Sequence, residues 1–89
     1  MQVGEAMVTG ASQGSKGFQE VEFKTICPAP NCERLNVVVG EWRAAVALDR
    51  PLLGASTQFS VTAPSDLHLR LGDTVVVEFF SPGEQAGAH

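Results

Sequence analysis

VTGASQGSKGFQEVEFKTI, Val8–Ile26, is the stretch whose reading decides the fold. Its first half is a glycine-rich run of the kind that cradles phosphates. Such a loop works only when a helix starts at the glycines, because the helix N-terminus holds the anion. Glu20–Ile26 does not continue as a helix. Val21 and Phe23 alternate with Glu20, Glu22 and Lys24, the two-residue period of a half-buried strand. The glycines therefore lead into a sheet.

Spacing agrees. Thr9-Gly10-Ala11-Ser12-Gln13-Gly14 resembles the TGxxxGxG loop of short-chain dehydrogenases, but Lys16 stands where that family has its last glycine. A GxxxxGK[ST] loop also fails, since three residues separate Gly10 from Gly14 and Phe18 follows Gly17. A dinucleotide fold further requires parallel strands joined by helices. Gly10–Gly17 reads as a flexible connection between strands. Its functional alternative is a mobile recognition loop that includes Gly10 and Gly14.

The period of two recurs along the chain. Glu33–Val39 sets Leu35, Val37 and Val39 on one side, and Glu41–Leu48 sets Trp42, Ala44, Val46 and Leu48 on one side. Thr57–Thr62 turns Phe59 and Val61 inward, and Asp73–Phe80 does the same with Val75, Val77 and Phe79. Gln2–Val8 is a weaker sixth strand. GASQGSKG, CPAPNC, DRPLLGAS and APSDLHLRLG separate the runs as turns. Short strands at this spacing predict an all-β fold, a single small barrel of five to six antiparallel strands, OB-like or SH3-like. One helical turn fits near Pro51 or Leu67. The barrel is expected over residues 1–82, with 83–89 as a flexible tail.

The 89 residues suffice for one small domain with a modest core. Ten acidic and six basic residues leave a net charge of −4, and no two basic residues are adjacent. Binding a phosphate backbone calls for a basic stripe, so nucleic acid is not the expected partner. No run approaches the length of a membrane span, and Met1–Gly10 lacks the basic and apolar regions of a signal peptide. A cytoplasmic protein is expected.

Chemistry-bearing residues are few. Cys27 and Cys32 flank PAPN between two strands. In a reducing compartment such a pair stays as thiols, though a hairpin at this spacing also permits a disulfide or a redox pair. A structural zinc site takes four ligands, and only His68 and His89 are left to join the cysteines. His68, beside Ser65 and Asp66, has no evident nucleophile to serve. No metal, cofactor or enzymatic activity is expected.

The outward positions say more. Ala45 and Ala47 lie opposite the Trp42 stripe, and Val76 and Phe80 lie opposite Val75, Val77 and Phe79. Two strands thus carry apolar residues on both faces, which in a monomer leaves apolar surface and marks an interaction site. Trp42 itself is expected to anchor the core.

Phe59–Pro82, FSVTAPSDLHLRLGDTVVVEFFSP, resembles the end of a TOBE domain. The likeness lies in Leu69, Leu71, Gly72, Asp73, Val75, Val77 and Phe79: a leucine-rich step, a Gly-Asp turn and a last strand ending in Phe. TOBE domains are small OB-like barrels on the ATPase subunits of ABC importers, with relatives that bind molybdate or tungstate. The resemblance implies a small barrel serving a larger assembly. The S-x-R-N-x-L-x-G motif of the oxyanion-binding members is absent, at Ser12–Phe18 and elsewhere, so no oxyanion site is implied.

The expectation is a non-catalytic binding module that contacts a partner protein or small ligand and assembles as a homo-oligomer. Ala45, Ala47, Val76 and Phe80 would make the contact. The alternative is a small redox- or metal-sensing domain using Cys27 and Cys32.

Overall fold

The computed structural model describes residues 1–28, 32–49 and 52–80. Residues 83–89, expected as a tail, lie outside this set. Among the described residues there are six strands: β1 (Gln2–Gln13), β2 (Phe18–Ile26), β3 (Arg34–Val39), β4 (Trp42–Ala47), β5 (Ser56–Pro64) and β6 (Thr74–Phe80). A single 3-10 turn, Ser65–Leu67, links the last two. All ladders are antiparallel, in one sheet of order β4-β3-β6-β1-β2-β5 that curls into a nearly closed barrel. The all-β barrel expected from the alternation is the fold.

The core follows the period of two. Val21 and Phe23 of β2, Leu35 and Val37 of β3, Val61 and Ala63 of β5, and Val75, Val77 and Phe79 of β6 are buried together. Leu69 plugs the end of the barrel near the β1–β2 turn. Its backbone is clamped by the Gln19 amide, whose Nε2 donates to the Leu69 carbonyl while Oε1 accepts from the Leu69 N–H, both at 3.2 Å. Thr25 is the one buried polar residue among those described, and its hydroxyl donates to the Glu5 carbonyl at 2.6 Å.

β1 departs most from expectation. It runs to Gln13 rather than stopping at Val8, so the glycines Gly10 and Gly14 do not bracket a flexible loop. The register shifts between Val8 and Gly10, leaving Thr9 as a bulge. Val8 pairs with Phe23 and Gly10 with Glu22, so the bulge reverses which residues face inward. The connection shrinks to a tight turn closed by the Phe18 N–H donating to the Ser15 carbonyl at 2.9 Å. Gly17 sits there at φ 84°, a conformation glycine adopts without strain.

The inward side of β1 is also unusual. Gly4 and Ala6 face the core, while Val3 and Met7 face solvent. A Cβ at Gly4 would meet Phe79 Cε2 at 3.0 Å, so the Phe79 ring takes the space that a side chain there would fill. The small residues line the interior and the large ones remain outside.

Candidate functional site

The outward surface of β6, β1 and β2 carries most of the barrel's exposed apolar strand residues. Val3 is 65% exposed, Met7 49%, Ile26 55% and Val76 44%. Cross-strand pairing joins them: Val76 lies opposite Glu5, and Met7 lies between Thr74 and Lys24. A groove of about 540 Å³ runs between these strands, lined by Glu5, Ala6, Met7, Lys24, Thr25, Ile26 and Thr74. Large apolar side chains held apart by Glu5 and Lys24 suit a protein surface with both apolar and charged contacts.

Of the residues expected at the interface, Val76 belongs to this surface. Ala45 and Ala47 are exposed but lie on β4, separated from β6 by β3. Phe80 does not belong. Although alternation points it outward, it is only 6% exposed, and the Arg34 guanidinium lies 5.8 Å from its ring centroid. The ring and the cation attract through the ring's negative face. Phe80 therefore serves packing at the end of β6.

Gly10 lies on the outward side of β1 opposite Glu22, and Gly14 opens the turn. With Ala11, Ser12, Glu20, Val21, Glu22 and Ser60, Gly10 lines a shallow groove of about 300 Å³. Thr9 donates to Glu22 at 2.9 Å, and Thr62 donates to Glu20. The rim is acidic, through Glu20 and Glu22.

Cys27 and Cys32 form a disulfide with Cα atoms 6.1 Å apart, so the expectation of free thiols is corrected. β2 and β3 are not neighbours in the sheet, so the expected hairpin between them does not form; the cysteines lie only five residues apart on the short connection from Ile26 to Arg34, which holds them within disulfide reach. Both are almost fully buried in the core cluster. Their thiolates are consumed in the bond, and no group of potential metal ligands occurs among the described residues. His68 is exposed and adopts a left-handed backbone, φ 54°, as it leaves the 3-10 turn. It is not part of a strand, and its N–H donates to the Ser65 carbonyl at 3.1 Å. Trp42 is half-buried against the core.

Sequence reasoning missed Val3, Met7 and Ile26. The signal was present but inverted. A strand read by its large apolar residues turns Val3 and Met7 inward, whereas β1 buries Ala6 and Val8 and sets Gly4 against the Phe79 ring. No helix among the described residues is long and apolar enough to cross a membrane. Compared with protein-family models, curated proteins and solved structures, the chain matches none.

Proposed function

We propose that the protein is a non-catalytic β-barrel binding module that docks through the outward surface of β6, β1 and β2, in the first instance onto a second copy of itself. One observation carries the reading: Val3, Met7, Ile26 and Val76 are exposed on the neighbouring strands β6, β1 and β2, and Met7 and Ile26 line the groove between them. Surface of this kind on a small domain is expected to be covered. The TOBE-like segment fits a module of a larger assembly. In it Gly72 makes a turn at φ 92°, and the Asp73 carboxylate accepts from the Arg70 N–H at 2.9 Å.

Light scattering over a range of concentrations tests the self-docking form. Wild type should show mass rising toward a dimer, and Met7→Lys with Val76→Lys should hold it at the monomer. A wild type that stays monomeric at high concentration rejects self-docking. Chemical-shift mapping of the groove with small apolar ligands then decides whether a small ligand takes that place.

The disulfide favours a second reading, a redox-responsive domain based on Cys27 and Cys32. Burial weighs against it, because thiol exchange needs access to a sulfur. Burial also bears on the cytoplasmic setting, where a disulfide survives only if cellular reductants are kept from it. Resistance of the bond to millimolar glutathione in the folded protein would reject the sensor.

A further inference from the structure

We propose that the free edge of β5, along Ser56–Thr62, accepts an extended strand of a partner protein whose residues alternate between apolar and basic. β5 ends the sheet order; β4, at the other end, approaches it at a few positions, but among the described residues no backbone hydrogen bond joins the two. One side of its backbone is a row of donors and acceptors open to another strand.

Proteins defend such edges with shortness, charge, proline or a bulge. β4 has two of these defences, six residues in length and Arg43. β5 has none along this stretch. It is nine residues long, pairs with β2 without a register shift, and has no charged residue, with its one proline at Pro64. Beneath the edge, Thr57 and Phe59 face inward yet are only half-buried, whereas Val61 and Ala63 further along are buried. An apolar side chain from an added strand would complete the wall there.

The outward side selects the charge. Glu22 lies across from Ser60 and Glu20 across from Thr62. The small Ser60 leaves open the shallow groove that both carboxylates line. A lysine or arginine placed outward beside Ser60 or Thr62 on an added strand reaches over these short side chains to the carboxylates. Lys24 lies across from Gln58, so the cation belongs beside Ser60 and Thr62 and not beside Gln58. A second copy of β5 brings no cation to this place, because the strand has none. A basic partner strand fits better than self-pairing.

The test uses the blocked peptide Ser-Val-Ser-Val-Lys-Val-Lys-Val, with a rearranged peptide of equal composition but no period of two. Isotope-labelled full-length protein should show saturable binding of the alternating peptide, with slowed amide exchange along β5. N-methylation of alternate peptide amides should abolish binding. Glu20→Gln with Glu22→Gln should weaken it about fivefold, as two exposed ion pairs allow. Equal binding of the rearranged peptide would reduce the effect to net charge and overturn the proposal. So would no binding at millimolar peptide, or shifts confined to the surface of Val3, Met7 and Val76. Protection of β5 amides in a peptide-free dimer would assign the edge to a second copy and reject the basic partner. This edge borders the β6–β1–β2 surface where Ile26 pairs with Ser56, but it does not depend on Val3, Met7 or Val76, so either reading survives failure of the other.

Discussion

Two sides of the barrel obey the same alternation and reach different ends. On the side built from β3, β6, β1 and β2, most inward residues are buried, with Leu35, Val37, Val77, Val8, Val21 and Phe23 all but sealed from solvent. On the side where β4 faces the start of β5, Trp42, Ala44, Val46, Thr57 and Phe59 point inward and remain half-buried. The difference lies in the neighbours. A strand paired on both edges is screened from both flanks, while a terminal strand screens its inward residues from one side only. Alternation states which way a side chain points. It does not state how much water reaches it.

The sharpest way to break this contrast is a matched pair of substitutions in the stacked rings Phe23 and Phe59, whose centroids are 5.3 Å apart. Phe23→Ala should cost about 3–5 kcal/mol in urea unfolding, a full aromatic cavity, and Phe59→Ala about half of that. Equal costs would show that the β4–β5 side is as closed in solution as the other. Removing the Cys27–Cys32 bond with Cys27→Ser and Cys32→Ser should cost about 2 kcal/mol, since a short loop is closed. A loss near zero would mean that the ladders of β2 with β5 and of β3 with β4 and β6 hold the two ends of the connection without it.

On the sealed side, Gly4→Ala should lose about 1 kcal/mol, because the new methyl presses on Phe79 more than the gain from a stiffer unfolded chain returns. Stabilisation would show that the ring has room to move. The smallest effect belongs to Arg43→Gln. It breaks the 2.6 Å pair with Glu78, which reaches from the terminal strand β4 over β3 to β6. Arg43 is largely exposed, so solvent screening holds the loss to about 0.5 kcal/mol, and it should shrink further in high salt.

Much of this architecture was legible. β2 through β6 were readable from alternation because each keeps one parity, β6 as far as Phe79, and their inward residues form the core or pack against it. β1 was not readable past Val8, because the bulge at Thr9 switches parity within a single strand. Its inward set of Gly4 and Ala6 also hides a buried face behind small residues. The disulfide was open in sequence, since spacing permits but does not bring together two Cα atoms. Phe80 shows the converse limit: pattern pointed it outward, and contact with Arg34 helps to bury it. Val3 and Met7 were hidden because the inward places of β1 go to small residues, among them Gly4, which packs against Phe79 more than seventy residues away.

The position of β6 has a further consequence, in time rather than in space. Among the described residues it is the last strand in sequence, yet it lies at the centre of the sheet, between β3 and β1. As the chain is made, the β1–β2 and β3–β4 hairpins can form early, because their partners are close in sequence. Nothing in the sheet joins the β1–β2–β5 half to the β3–β4 half until Thr74–Phe80 has been synthesised. Until then the nascent protein is two separate half-sheets with unpaired edges, the state in which strands most readily find wrong partners. The sheet is therefore complete only once β6 is in place, because β6 alone among the described strands pairs with both halves.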